Sequence, residues 1–399
     1  MISKKKEKVT KTIDAYKDRL IEVADFIHDN PETGYQEKKS SALLVKELES
    51  KGFTVEKGIS GLETSFKATY KSGSDGPTIA YIAEYDALPE KGHACDHNIN
   101  ATTTLGAAVG LASVIGNLHG SVVVYGTPAE EGFPLNAGGK VVMMNEIAKS
   151  EVALMVHSGT SYSPGGRTLA RENFVIRFKG KASHAAAAPE KGINALDAAI
   201  ITFNSVNALR QHVRDDVRIH GIIKEGGVMP NIVPDYVVAH FFVRANTAPY
   251  MRETFDRVLN CARGAALATG CKMEYEKVAN TYENMVPIKT IGELFSQNLR
   301  RLGIEIDSPE KTAKRTPGST DLGNVSHLIP CMEGRIAIAP EGTAGHSVEF
   351  KEAAKSDLAY EGMIIGAKAL AMTGVDLLEN PELIVKAKKD LETALAEGL

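Results

Sequence analysis

The residues most able to do chemistry lie between Glu84 and Glu131, where acids, a thiol and imidazoles occur together. Three motifs begin at residues 84, 92 and 127, and read Glu-Tyr-Asp-Ala-Leu-Pro, Gly-His-Ala-Cys-Asp-His-Asn and Thr-Pro-Ala-Glu-Glu-Gly. Cys95 and His97 are too close in sequence for a structural zinc knuckle. They can be two ligands of one metal cluster that is completed from elsewhere in the chain. The candidates to complete it are Glu130 or Glu131, His157 and His346.

Each of these residues also has an ordinary structural explanation when it is taken alone. A buried cysteine is more often a small core residue than a ligand, and an exposed pair of glutamates is usually part of a solvated loop. The interpretation changes because strand ends, neighbouring glycines and ligand-type residues coincide repeatedly in this chain. The combination favours a metal site.

Apolar, β-compatible runs precede the first and third motifs and would position them. Thr78 to Ala83, Ser121 to Tyr125 and Glu151 to Val156 are predicted strands. Each strand delivers its polar residues at its C-terminal end, the edge at which open α/β sheets bind ligands. Ala101 to Leu118 and Gly138 to Ile147 are predicted helices between them. This alternation predicts an α/β catalytic domain.

The sequence ahead of the first motif predicts two helices and one strand. Apolar residues recur at helical intervals from Thr10 to Asn30, and a second helix is expected from Glu37 to Lys51. Ser65 to Tyr70 alternates like a strand. The Gly- and Ser-rich residues 72–76 that follow predict a hairpin-like turn into the strand at Thr78.

The pattern changes after Glu172, where strand, helix, strand, strand, helix and strand follow one another. This is the order of a ferredoxin-like βαββαβ unit. We expect an inserted domain at residues 172–282 and a discontinuous catalytic domain at residues 1–171 and 283–399. The six inserted elements are predicted at 173–178, 194–213, 218–224, 235–244, 249–269 and 272–278, and the catalytic domain resumes with elements at 288–302, 335–339 and 358–372.

Length and composition limit the classes of function. A chain of 399 residues exceeds what one hydrophobic core usually supports, so two domains are expected. The formal net charge is -4 and no basic patch stands out, which argues against a nucleic-acid partner. The longest apolar run, Leu105 to Ile115, is too short to span a bilayer, and no secretory signal is recognisable. The four cysteines lack framework spacing, so a cytoplasmic location is expected.

The three motifs, in this order, resemble those of the aminoacylase and glutamate-carboxypeptidase metallopeptidases, the twentieth metallopeptidase family, in its amidohydrolase subfamily D. The resemblance runs from about Ile21 to about Met372. It is greatest to the aminoacylase-1-like and aminobenzoyl-glutamate hydrolase branch, including the HmrA-type amidohydrolase/peptidases. Two positions depart from expectation. Asp96 stands where the family usually has glycine and adds a carboxylate beside the metals, and Asn100 stands where an apolar residue is expected.

The resemblance implies the roles of the catalytic residues. Glu130 would be the general base that activates metal-bound water and passes the proton to the leaving amine. Asp86 and Glu84 would lie behind the ligands and orient their imidazoles. Two divalent metal ions per subunit are implied, with zinc favoured and manganese, cobalt or nickel compatible with the same donors. The implied metal ligands are Cys95, His97, Glu131, His157 and His346.

The resemblance also points to residues of the inserted domain, which acts as a lid and dimerises in the family. His184 matches the lid histidine proposed to reach the neighbouring subunit's metal site and stabilise the oxyanion. Asn231 and Arg244 match positions associated with the substrate, although Arg244 fits an ordinary surface ion pair equally well. Gly318 and Ser319 precede a short helix whose backbone N–H groups would bind a substrate carboxylate. A homodimer through the lid is expected, and a tetramer is compatible with it.

We therefore expect a metal-dependent hydrolase of amide bonds in N-acyl amino acids or short peptides, with no membrane or nucleic-acid partner. Two alternatives remain open. The presence of Asp96 suggests a degenerate, non-catalytic homologue that binds the same ligands. A cysteine hydrolase that uses Cys95 and His97 is disfavoured, because neighbours one residue apart on a turn rarely face each other as nucleophile and base.

Overall fold

Two separate sheets organise the chain, which the computed structural model describes over residues 3–308, 311–312 and 318–398. One unit consists of Met1–Arg167, Met285–Pro317 and Asp321–Leu399. The other consists of Thr168–Asn284 together with Gly318–Thr320. The first unit is thus discontinuous in sequence, and three residues from beyond the main insertion belong to the second unit.

The sheet of the first unit has six strands, four of which are parallel neighbours. It contains β1 (Thr54–Lys57), β2 (Phe66–Lys71), β3 (Thr78–Glu84), β4 (Ser121–Thr127), β5 (Val152–Gly159) and β10 (Cys331–Ala337). Their order is β1-β2-β4-β3-β5-β10. β2 is antiparallel to both of its neighbours, and the remaining neighbouring pairs are parallel.

The expected hairpin-like turn from β2 into β3 is wrong, because β4 lies between these two strands. The segment after β2 instead bonds to the chain that enters β4. The N–H of Ser72 donates to the carbonyl of Gly120 at 3.0 Å, and the N–H of Ser121 donates to the carbonyl of Pro77 at 3.0 Å. The Gly- and Ser-rich residues therefore cross over the end of β4, and the almost wholly buried β3 takes a parallel position inside the sheet.

Helices cover the sheet of the first unit on both faces. Alternate residues of β3 point to two cores, with Ile79 and Tyr81 in one and Ala80 and Ile82 in the other. Among the described residues, the helices of this unit are Lys4–Ala15, Lys17–Asp29, Lys38–Ser50, His97–Ile115, Gly139–Ile147, Lys289–Arg301, Leu322–Ser326, Val348–Ala353, Asp357–Glu379 and Glu382–Ala396. The helix predicted from Thr10 to Asn30 is thus two helices that meet at Tyr16, a break that a continuous apolar repeat does not reveal.

The helix His97–Ile115 is buried almost all round and supports the site described below. It packs on β3 and on the helix Asp357–Glu379. A Cβ atom added to Gly106 would lie 3.1 Å from the Cβ of Ala367, so the two helices approach closely at this glycine. The prediction that this segment is a small-residue helix packed on the sheet is confirmed, but the helix begins at His97, four residues before the predicted start.

The second unit has a four-stranded antiparallel sheet with two helices on one face. Its elements are β6 (Ala170–Lys179), the helix Ala195–Leu209, β7 (Arg218–Glu225), β8 (Tyr236–Ala245), the helix Ala248–Thr269 and β9 (Lys272–Lys277). The strand order β7-β8-β6-β9 with this connectivity is the ferredoxin-like arrangement. Phe174, Phe241 and Val243 face the helices, whereas Phe242 and Arg244 alternate onto the opposite face. The predicted fold class, α/β with an inserted βαββαβ domain, is confirmed.

Candidate active site

Three parallel strands bring acidic and imidazole side chains to one edge of the first sheet. β3 ends at Glu84, which is in register with Thr127 at the end of β4. His157 lies near the end of β5. The motif after Thr127 turns sharply, because Ala129 has a left-handed φ of 58° and its N–H donates to the carboxylate of Glu37 at 2.9 Å. This edge is where open α/β sheets bind ligands.

The Cys-Asp-His segment forms a tight turn that places His97 at the start of a helix. Asp96 adopts a left-handed conformation with a φ of 59°, and the helix begins at the next residue. Nδ1 of His97 lies 3.0 Å from both the backbone oxygen and Oδ1 of Asp86, and Oδ2 of Asp86 accepts the N–H of Glu131 at 3.0 Å. Nε2 of His97 is buried and has no hydrogen-bond partner among the described residues. The Asp86 carboxylate therefore orients an imidazole whose second nitrogen is available to a metal.

The five predicted metal ligands lie close together in this unit. Two groups of possible ligand atoms share the Cys95 sulfur, and within each group all atoms lie within 4.8 Å of one another. The first group is Cys95, His97 and His157, and the second is Cys95, Glu131 and His346. A thiolate, imidazoles and a carboxylate suit zinc and neighbouring divalent metals.

Individual contacts orient the two outer histidines toward this cluster. Nε2 of His157 lies 3.5 Å from the sulfur of Cys95, while its Nδ1 lies 3.0 Å from the carbonyl of Ser158. Nε2 of His346 lies 3.9 Å from Oε2 of Glu131. His346 has a left-handed φ of 63°, and its N–H donates to the carbonyl of Ala94 at 3.0 Å, which ties its loop to the Cys95 turn.

The electrostatics of the cluster fit a bound cation. Burial raises the pKa of Glu131 to about 7, although the nearby His97 opposes this shift. Burial, followed by the neighbouring Glu84 and Glu131, raises the pKa of Glu130 well above its ordinary value. Burial and the charge of Arg335 lower the pKa of His157 to about 3, which keeps that imidazole neutral. Crowded acids, a neutral imidazole and the unpartnered Nε2 of His97 are together the features of a metal-binding site.

Lys140 and Asp321 extend the site, and neither was identified from the sequence. Nζ of Lys140 donates to Oε1 of Glu84 at 2.6 Å and forms a second ion pair with Asp321, and all three side chains are fully buried. Burial alone would raise the pKa of Glu84, but the charge of Lys140 outweighs it and lowers that pKa to about 2. The one sequence signal was the position of Lys140, in the first turn of the helix that follows the Glu-Glu motif.

Two unexpected residues of the second motif have different environments. Oδ1 of Asn100 accepts both the N–H and the hydroxyl of Ser158 at 3.0 Å, so this buried amide fixes the end of β5 beside His157. Asp96 is fully buried, and its carboxylate oxygens have no hydrogen-bond partner among the described residues. Burial raises the pKa of Asp96 to about 8. Asp96 is absent from the groups of ligand atoms found in the described part of the chain.

Within the second unit, the predicted lid residues form two separate neighbourhoods. His184 and Asn231 are exposed, and the carbonyl of Asn231 accepts the N–H of Ala185 at 3.0 Å. Arg244 donates to the hydroxyl of Ser319 at 3.1 Å. The carbonyl of Gly318 accepts the N–H of Leu169 at 2.8 Å. The Gly-Ser turn is thus attached to the lid sheet, and the helix that follows it, Leu322–Ser326, has only five residues.

The chain is similar to known peptidases and amidohydrolases over nearly its whole length. Residues 172–266 match the model of the peptidase dimerisation domain. The Xaa-Arg dipeptidase of Mus musculus is 34% identical over 406 residues, which cover 98% of this chain and 93% of that protein. One of the two p-aminobenzoyl-glutamate hydrolase chains of Escherichia coli is 28% identical over 452 residues, which cover 95% of this chain and 93% of that protein.

Solved structures share the fold. A dinuclear metal-binding peptidase of the M20 family from Bacillus subtilis superposes with a TM-score of 0.69 at 21% identity, covering 92% of this chain and 99% of that one. Among the described residues, no helix is long and apolar enough to cross a membrane.

Proposed function

Because this chain belongs to the M20 peptidase family and its relatives are peptidases and amidohydrolases, we propose that it hydrolyses amide bonds in N-acyl amino acids or short peptides with two bound divalent metal ions. The observation that carries this proposal is the pair of ligand groups that share the Cys95 sulfur. Two overlapping groups of three suit two neighbouring ions better than one.

In the proposed arrangement, Cys95 contributes to both metal positions. His97 and His157 complete one position, and Glu131 and His346 complete the other. Zinc is favoured by this mixture of sulfur, nitrogen and oxygen donors, and manganese, cobalt or nickel are compatible with it. When bound, such ions polarise the amide carbonyl and lower the pKa of water.

Glu130 is the proposed general base. A carboxylate oxygen of Glu130 lies 4.0 Å from Nε2 of His97, within the same group as Glu131. The buried, acidic surroundings that raise the pKa of Glu130 favour its taking a proton from the attacking water. Glu130 then returns this proton to the leaving amine nitrogen. Asp86 holds the imidazole of His97, and Lys140 holds Glu84 behind it.

The lid residues are proposed to act on the substrate in a homodimer. Nδ1 of His184 accepts the N–H groups of Ala186 and Ala187 at 3.2 Å, which leaves the proton of a neutral imidazole on the exposed Nε2. That N–H can stabilise an oxyanion in the partner subunit. Asn231, beside it, would contact the substrate as well. Arg244, with Ser319 and the turn at Gly318, would bind the substrate carboxylate.

The two alternatives are less well supported. A degenerate homologue would be expected to have lost part of its ligand set, yet all five predicted ligands lie together despite Asp96. A cysteine hydrolase needs an accessible thiolate. Burial and the nearby Glu131 instead raise the pKa of the Cys95 thiol, which disfavours the thiolate unless a metal is bound.

Metal analysis combined with a substrate panel tests the proposal. The purified protein should contain two divalent ions per chain and release free amino acids from N-acyl amino acids or dipeptides. A chelator should abolish this turnover, and an added divalent metal should restore it. Turnover that persists after complete metal removal would contradict the metal mechanism. Full metal content without turnover of any panel member would favour the degenerate homologue.

A further inference from the structure

Three arginines form a row across the open face of the lid sheet. Arg171 on β6 is directly opposite Arg244 on β8, and Arg218 on β7 is opposite Arg244 on its other side. Like charges placed directly across a sheet repel each other. Such a row is retained at low cost when an anion binds between the guanidinium groups.

Arg171 is the member of the row whose surroundings point to a ligand. The residue is only 6% exposed, and its Nε and Nη2 atoms are buried without a hydrogen-bond partner among the described residues. Its guanidinium lies 3.8 Å from the ring centroid of Tyr282 and 5.5 Å from that of Phe242. Stacking on an aromatic ring uses the flat face of a guanidinium and leaves its edge N–H groups to an acceptor.

The backbone holds Arg171 in this position. Its N–H donates to the carbonyl of Tyr282 at 2.8 Å, and the N–H of Tyr282 donates back at 3.0 Å. The two side chains therefore lie on the same face of the sheet. The guanidinium of Arg244 lies 5.5 Å from the ring of Phe242, so both cations border the same aromatic residue.

The acids that β9 places on this face are engaged elsewhere. Glu276 pairs with Arg177 at 2.8 Å, and Glu274 pairs with Lys179 at 2.7 Å. Both pairs lie toward the far end of β6 from Arg171. Neither of these carboxylates supplies the counter-charge of Arg171.

We propose that Arg171 and Arg244 bind the two carboxylates of an acidic amino acid, so that the preferred substrates release glutamate or aspartate. Arg244 takes the α-carboxylate and Arg171 takes the side-chain carboxylate, with Phe242 against the carbon chain between them. Guanidinium groups bind carboxylates through paired N–H donors, which gives both strength and selectivity. The inference rests on the proposed amide hydrolysis and adds to it a substrate class.

A charge-only comparison of substrates tests this specificity. N-acetylglutamate and N-acetylglutamine have nearly the same shape and differ in the charge of the side chain. The wild-type enzyme should prefer the glutamate substrate by about tenfold or more in kcat/KM, as expected for one charge-assisted contact. Arg171→Met should remove most of this preference by slowing only the glutamate substrate. Arg177→Met, which alters an arginine on the same face of β6 that already has a partner, should leave the preference unchanged.

Ligand binding decides the question independently of catalysis. Calorimetric titration of the wild-type protein with glutarate and with its monoamide, glutaramate, should show tighter binding of the dianion. Arg171→Met should bring the two affinities together, and Arg171→Gln serves the same purpose if the methionine variant does not fold. Equal binding of both ligands by the wild type, or a glutarate preference that survives loss of Arg171, would overturn the inference. Failure of both substrates to turn over would contradict only the proposed function, because the titration still reports on Arg171.

Discussion

Nζ of Lys140 lies 2.6 Å from Oε1 of Glu84, and neither side chain is accessible to solvent. Lys140 also pairs with Asp321, and its backbone N–H donates to Oδ2 of the same aspartate at 2.8 Å. Oε2 of Glu84 lies 3.7 Å from Nε2 of His97. The buried lysine therefore holds an ionised acid directly beside a proposed metal ligand, and joins the end of β3 to the chain segment that follows Thr320.

Lys140→Met should destabilise the protein strongly. The substitution leaves the carboxylates of Glu84 and Asp321 buried without their cation, and breaking a buried ion pair in this way costs about 3–5 kcal/mol. Thermal and denaturant unfolding of the metal-free protein would measure the loss. Lys149→Met is the matched control, because that ammonium group is exposed and its pair with Glu146 lies on the surface. Equal stability of both variants would mean that the buried ion pairs contribute little.

Asp96→Asn should flatten the dependence of stability on pH. The pKa of Asp96 rises from its ordinary value of 3.8 to about 8 in the folded protein. A raised pKa contributes stability that is full below about pH 4 and is lost as the pH rises through about 8. Asparagine does not titrate, so the stability of the metal-free variant should fall less between these values. Unfolding midpoints across this range would check the difference, and identical pH profiles would contradict the assigned burial effect.

Asp96→Gly should bind metal at least as tightly as the wild type. Glycine adopts the left-handed conformation of this position without strain and removes a carboxylate beside the ligands. Metal titration of the two proteins would compare their affinities. A clear fall in metal affinity and turnover would show that Asp96 is itself a ligand.

His346→Ala should lower both the metal content and the turnover. His346 is the ligand that its loop brings to Glu131, so its loss leaves the second metal position with two protein donors. His97→Ala and His157→Ala should have the same effect at the first position. Elemental analysis would give the number of ions per chain. His119→Ala, which changes an exposed loop histidine, is the control and should retain its metals. Full metal and full turnover in His346→Ala would refute its assignment.

His184→Ala should reduce kcat by about 10²–10³-fold, the usual effect of deleting one oxyanion donor, while leaving metal content intact. If this histidine acts across a dimer, mixing His184→Ala with Glu130→Gln under subunit exchange should restore part of the activity. The mixed dimer then contains one site with Glu130 and the partner's His184. Demonstrated exchange without any recovery would place His184 outside the mechanism or within its own subunit.

The sequence was informative where chemistry and periodicity coincide. The strands that end at Glu84 and Thr127, the helix after Cys95 and the inserted βαββαβ unit all follow from apolar runs bounded by polar motifs. Strand order did not follow, because the pairing of β2 with β4 depends on contacts between distant segments. Lys140 was missed for a related reason. A lysine in the first turn of a helix resembles a surface residue until the fold brings Glu84 and Asp321 around it.

Glu130→Gln, compared with Glu131→Gln, tests the central claim most directly. Glutamine at position 130 removes the proposed base and leaves all five ligands, so two ions per chain should remain while turnover falls by about 10²–10⁴-fold or more. Glutamine at position 131 replaces a proposed ligand, so metal should be lost together with activity. Metal content and turnover of both variants, measured on the same preparations, give the answer. Loss of metal from Glu130→Gln with retention in Glu131→Gln would exchange the two roles, and full activity in Glu130→Gln would contradict the mechanism.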